Sequence, residues 1–146
     1  MTRTQNPTLQ LPTERLEQIK AIGSALGLSI AATLGHLVRG EIAKGTIADT
    51  LPGVSIQRNE GGVVIGFDDD GRQQFDLDGA KSLAALVNDY TGAGKLAKLI
   101  NLDHNFMVER QGNGVKVTIL FPAGVTKNFS FDVARDFARL VSEAAK

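Results

Sequence analysis

The feature that most constrains this chain is a lone four-residue alternation, Thr8-Leu9-Gln10-Leu11, which runs directly into two helical patterns with no second strand before Val54. A single strand leaves a row of unpaired N–H and C=O groups, so it needs a partner. The simplest partner is the same strand from a second copy. Two such strands side by side form a β-ribbon, one of the few non-helical elements that fits the DNA major groove. Leu9 and Leu11 share one face of the strand and Thr8 and Gln10 the other, with Asn6 in line if the extended backbone reaches back through Pro7. Residues 1–7 are polar, and Arg3 is their only charge. They read as a short arm that orders on a partner.

Pro12 sits where a first helical position is expected, and Glu14 and Glu17 suit the positive end of a helix. Leu16, Ile19, Ile22 and Leu26 follow at helical spacing, and Gly27 supplies a left-handed stop. Ser29 is a good N-cap for a second helix, in which Ala32, Leu34, Leu37, Val38 and Ile42 are apolar, up to Gly45. Gly35 and Gly40 inside it each cost roughly 1 kcal/mol against alanine. Close approach of another helix would explain them.

Residues 8–45 resemble the ribbon-helix-helix family of DNA-binding proteins, the Arc/MetJ/CopG type. The resemblance is carried by Leu9-Gln10-Leu11-Pro12 leading into Leu16 and Ile19, and by Gly27-Leu28-Ser29 opening the second helix. It implies an intertwined homodimer whose paired strands enter the major groove. Asn6, Thr8 and Gln10 would then face the bases, with Arg3 the nearest cation in the arm. The backbone at Leu28, Ser29 and Ile30 would clamp a phosphate at a helix N-terminus. Asn and Gln bond bidentately to adenine, and Thr touches a thymine methyl.

Sixteen basic residues balance sixteen acidic ones, so no global positive field announces a nucleic-acid partner, and any DNA contact must be local. The absence of cysteine excludes disulfides, thiolate metal sites and a thiol nucleophile. Apolar runs are far shorter than a membrane span, and no signal peptide is evident, so a cytoplasmic protein with no membrane partner is expected.

Beyond Pro52-Gly53 the chain echoes itself. Val54–Arg58, Gly61–Phe67, Gln74–Asp78 and Ala80–Val87 return as Phe106–Arg110, Gly112–Leu120, Asn128–Asp132 and Ala134–Val141. The offset is 52 residues at Arg58 and Arg110 and 54 at Ala80 and Ala134. Each copy reads as three strands and a helix, with tight turns at Asn59–Gly62 and Gln111–Gly114. Asp78 and Asp132 are the expected N-caps, and Phe75 and Leu77, like Phe129 and Phe131, alternate inward along the third strands. A unit this small buries both faces poorly, which favours duplication. The expected fold class is therefore α+β: a ribbon-helix-helix dimerisation module over residues 1–47, then two tandem βββα repeats packed with pseudo-twofold symmetry over 54–146. Repeat 1 spans 54–90, a linker helix 92–102 and repeat 2 104–146.

Other motifs carry less. Asp68-Asp69-Asp70-Gly71 lacks the ligand spacing of a calcium loop. Gly92-Ala93-Gly94-Lys95 lacks the spacing and hydroxyl of a phosphate loop. His36 and His104 have no ligand-spaced partner. Arg58 and Arg110 are expected to pair across strands with Glu60 or Glu109. No cofactor, no metal and no enzymatic chemistry is expected. The expected function is that of a dimeric, sequence-specific transcriptional repressor that binds double-stranded DNA, with the C-terminal repeats open to a protein partner. The alternative is a protein-binding factor built on the same dimer: an antitoxin, a conjugation or partition accessory factor, or a phage-encoded inhibitor of host defence.

Overall fold

Pro12 closes the extended segment and opens the first helix. Its carbonyl accepts from Leu16 N at 3.1 Å, and the helix proper, α1, spans Thr13–Leu26. Pro12 is therefore the residue just before the helix rather than its first member. The computed structural model describes residues 7–68, 70–92, 98–122 and 124–146. The chain divides into two compact units, Met1–Ile47 and Ala48–Lys146. The fold is mixed α+β, with four helices and two antiparallel sheets.

In the first unit, Gly27 adopts φ +70°, which lets Leu28 N bond Gly23 O at 2.8 Å and Gly27 N bond Ser24 O. This double bond closes the end of α1 and turns the chain sharply. The second helix, α2, spans Ile30–Ala43, and its direction differs from that of α1 by 87°. The two helices touch closely at Gly23, where an added Cβ would lie 2.6 Å from Thr33 Oγ1 and 2.8 Å from Leu28 O. Expectation had placed close approach at Gly35 and Gly40. Within one chain an added Cβ at Gly40 meets nothing within 4 Å, so the close contact between α1 and α2 is at Gly23 rather than at Gly40.

The second unit begins with a three-stranded sheet in the order β1-β2-β3: β1 Val54–Asn59, β2 Gly62–Phe67 and β3 Arg72–Phe75. Helix α3, Leu77–Tyr90, follows. The four-stranded sheet has the order β4-β5-β6-β7: β4 Lys98–Asn101, β5 Phe106–Gln111, β6 Gly114–Ile119 and β7 Val125–Ser130. Helix α4, Phe131–Ala144, ends the chain. All neighbouring strands are antiparallel. Val63, Ile65 and Phe67 on β2, Val108 on β5 and Val117 on β6 face one core with Leu83, Val87, Phe137 and Val141. Phe67, Phe129 and Phe137 meet at its centre, with ring centroids 4.9–6.1 Å apart. Edge-on and offset ring contacts of this kind add to the stabilisation from burial.

Three expectations are corrected here. The linker helix over 92–102 fails at its C-terminal part, because Lys98–Asn101 is a strand paired with β5; residues 93–97 of it lie outside the described residues. Leu99 lies opposite Val108 and packs on the core, so sheet pairing overrides the helical propensity of an Ala/Leu/Lys run. The N-caps are Asp76 and Ser130 rather than Asp78 and Asp132, with side chains accepting from Gly79 N and Val133 N. Leu77 and Phe131 are accordingly first helical residues that still pack inward, and the third strands end at Phe75 and Ser130.

Candidate nucleic-acid and dimer interface

Thr8 and Gln10 are exposed, in an irregular segment that forms no strand within a single chain. Arg3 and Asn6 lie outside the described residues. Leu9 on the other face is 81% exposed and Leu11 40%, so the apolar side of this segment is largely uncovered among the described residues.

The turn between the helices is better defined. Ser29 has extended backbone, and its Oγ accepts from Ala32 N at 3.1 Å. Its carbonyl accepts from Thr33 N at 2.8 Å and from Thr33 Oγ1 at 2.7 Å. The amides of Ile30 and Ala31 belong to the first turn and so have no partner within the helix ladder. Ser29 and Ile30 are exposed and Leu28 is half-buried, which leaves this positive helix end facing solvent. Thr33 is the structural residue of this turn that the pattern missed. It is fully buried at 0% exposure and locks the turn through Ser29. The signal for it was local: a hydroxyl four residues after an N-cap serine, able to bond back to that carbonyl.

The apolar residues of the two helices sort into an inner and an outer set. Leu16, Ile19 and Ile42 are half-buried. Ile30, Leu34, Leu37 and Val38, at the spacing of one helical face, are 41–48% exposed, and Ile22 and Leu26 on α1 are also exposed. Among the described residues of this unit, only Gly23 and Thr33 are buried. Residues 1–47 hold five basic and three acidic side chains, a net charge of +2, and the remainder holds eleven and thirteen, a net −2. His36 is exposed on α2.

The second unit uses its own charges internally. Arg58 donates to Ala144 O and Lys146 O at the end of α4, and Arg110 donates to Tyr90 O and Gly92 O at the end of α3. Neither arginine makes the expected strand pair with Glu60 or Glu109. Helix C-termini offer orphan carbonyls and a negative dipole end, which satisfy a guanidinium, while Glu109 lies 3.7 Å from Lys116 instead. Arg139 makes a two-point contact with Asp49, both bonds 2.8 Å, which holds the Asp49 carboxyl below its usual range. Burial raises the Tyr90 hydroxyl. A groove of about 340 Å³ between α3 and α4 is lined by Lys81, Asn88, Arg135, Arg139 and Ser142, with Ala84 and Ala138 at its floor. His104 Nδ1 lies 3.6 Å from Asp76 Oδ1, beside the start of α3. Among the described residues, no group of three or more His, Asp or Glu side chains could hold a metal ion, and no single helix is long and apolar enough to cross a membrane.

No protein-family model, curated protein or solved structure matches this chain.

Proposed function

We propose that this chain is a dimeric, sequence-specific DNA-binding protein of the ribbon-helix-helix type, acting most simply as a transcriptional repressor. The observation that carries the reading is the outward apolar stripe Ile30, Leu34, Leu37 and Val38, combined with the exposed alternation of Thr8 to Leu11. A second copy would cover both at once. Its strand would pair with Leu9 and Leu11 inward, and its helices would pack on the stripe. The ribbon then carries Thr8 and Gln10 outward, with Asn6 and Arg3 in the preceding arm. The solvent-facing N-terminus of α2 at Leu28, Ser29 and Ile30 stands ready for a phosphate. A dimer of the first unit doubles its net charge to +4, a local field compatible with a chain of zero net charge.

In the same reading, residues 54–146 are two βββα units related by a pseudo-twofold axis. Its support is reciprocal. Arg58 of the first repeat closes the helix of the second, and Arg110 of the second repeat closes the helix of the first. Gly62 and Gly114, also 52 residues apart, both stand close to the equivalent carbonyls Phe75 O and Phe129 O, where an added Cβ would come within 2.5 Å. The groove residues Lys81, Ala84 and Asn88 likewise stand 54 residues before Arg135, Ala138 and Ser142.

The test is binding of the purified chain to DNA from upstream of its own coding sequence across a salt series. Affinity falls steeply with salt, as phosphate contacts require. Thr8→Ala with Gln10→Ala weakens specific binding by at least about thirtyfold, since two base contacts at roughly 1–3 kcal/mol each are lost. No binding at low salt would sink the repressor reading and leave the protein-binding alternative, in which the same dimer grips another protein.

A further inference from the structure

The two sheets of the second unit differ by one strand, and the difference exposes an edge. In the four-stranded sheet, β5 lies between β4 and β6; in the three-stranded sheet, β1 pairs only with β2. Under the duplication proposed above, on which this inference rests, β1 is the counterpart of β5, and β4 has no counterpart. Leu99 of β4 sits opposite Val108, whose equivalent 52 residues earlier is Ile56. The two-residue loop Glu60-Gly61 makes Asn59 and Gly62 the closing hydrogen-bonded pair of its hairpin. Bonding alternates along an antiparallel ladder, so Asn59, Gln57 and Ser55 bond β2 while Ile56 and Arg58 turn their N–H and C=O outward. Among the described residues, no strand lies on that side.

We infer that the open edge of β1 pairs antiparallel with β1 of a second copy, joining two three-stranded sheets into one six-stranded sheet across a twofold axis. Three features select this occupant. The first is the lack of a blocking device: open strand edges are commonly guarded by shortness, charge, proline or a bulge. Strand β4 has four residues and carries Lys98, β3 has four residues and carries Arg72, and β7 carries Lys127. Strand β1 has six residues, and its one charge, Arg58, is turned to the carbonyls of α4. The second is self-complementarity. With Ile56 opposite its own copy, Ser55 faces Gln57 and Val54 faces Arg58, so no like charges meet. The third is room beside the seam: a small cavity of about 110 Å³ is lined by Asp49 and Thr50 together with Leu51, Val54, Ile56, Leu140 and Ala144. The pairing would link two ribbon dimers into a tetramer able to span two neighbouring operator sites.

Sedimentation of the full chain tests this with paired charge variants. Ser55→Lys with Gln57→Lys places like charges opposite each other across the seam, and Ser55→Glu with Gln57→Glu does the same with the opposite sign. Each variant alone is expected at half the wild-type mass, and mixing the two restores it, which misfolded chains could not do. The Ile56 and Arg58 amides, protected from hydrogen exchange in the wild type, lose that protection in either variant alone. Wild-type mass and amide protection in both variants would overturn the inference. A third variant, Leu9→Lys with Leu11→Lys, separates this seam from the ribbon. If only the β1 seam exists, the wild type is a dimer, the β1 variants are monomers and the ribbon variant stays dimeric. If only the ribbon exists, the β1 variants stay dimeric and the ribbon variant is the monomer, and the inference fails while the functional reading stands.

Discussion

The two units of this chain dispose of their apolar residues in opposite ways. The described part of residues 48–146 buries twenty hydrophobic side chains in a single cluster, from Val63 to Ala145, while the described part of residues 1–47 buries no large hydrophobic one. Both have well-formed helix ends: Gly27 closes α1, and Ser29, Asp76 and Ser130 open α2, α3 and α4. Local helix signals are therefore equally good in both, and the difference lies in packing. Short helices gain most of their stability from burying an apolar face, so the first unit is a folded shape that still lacks its core. In the proposed dimer a second copy supplies it.

That contrast can be broken at several points, the largest first. Phe137→Ala removes a fully buried ring from the aromatic centre and should cost the second unit about 3–5 kcal/mol in urea unfolding, whatever the protein concentration. Leu37→Ala, at a residue 41% exposed within one chain, should cost about 2–3 kcal/mol, as burial in a dimer demands. A cost under 1 kcal/mol for Leu37→Ala would mean that the stripe faces solvent.

A smaller effect sharpens the internal comparison within the second unit. Arg110 is half-buried and lies 5.3 Å from the Phe131 ring, whereas Arg58 is exposed. Arg110→Ala should cost roughly 1.5–3 kcal/mol, as expected for a charged hydrogen-bonding group. Arg58→Ala should cost about 0.5–1 kcal/mol, with fraying confined to the end of α4. Equal costs in thermal melts would contradict the difference in burial.

The smallest expected effect is acid-dependent. The Arg139 hydrogen bonds hold the Asp49 carboxyl below its usual range, so the folded chain gives up that proton more readily than the unfolded chain does. The resulting stabilisation is fully present above the ordinary carboxylate value and is lost as pH falls through the lower folded value. Both side chains are about 40% exposed, which limits the contribution to about 0.2–1 kcal/mol. Asp49→Asn should lower stability by that amount at neutral pH, and its curve should converge with the wild type in acid.

Much of the local structure was legible because its signals are short-range. Gly27 and Ser29 act where their chemistry placed them, and the tight turns at Glu60-Gly61 and Gly112-Asn113 join the strands expected to flank them. The errors share a cause, which is information held elsewhere in the chain. Asp78 and Asp132 looked like N-caps because acidic residues suit the first turn, yet Leu77 and Phe131 pack inward as first helical residues, moving each cap two places earlier. Lys98–Asn101 has helical composition, but its register against β5 decides its conformation. The partners of Arg58 lie 86 and 88 residues away, beyond any neighbourhood rule. At the candidate interface, Ser29 caps α2 as its chemistry suggests, and Thr8 and Gln10 are exposed. The bond from Thr33 back to Ser29 follows from their spacing, but the burial of Thr33 does not, since it rests on the contact with Gly23.

Hydrogen exchange of the full chain over a hundredfold range of protein concentration tests the central claim most directly. In the chain carrying Ser55→Lys with Gln57→Lys, which removes the β1 seam, protection of the α1 and α2 amides should rise with concentration, while protection of β2, β6 and α4 stays constant. Concentration-independent protection of α1 and α2 in a chain that sediments as a monomer would contradict the account.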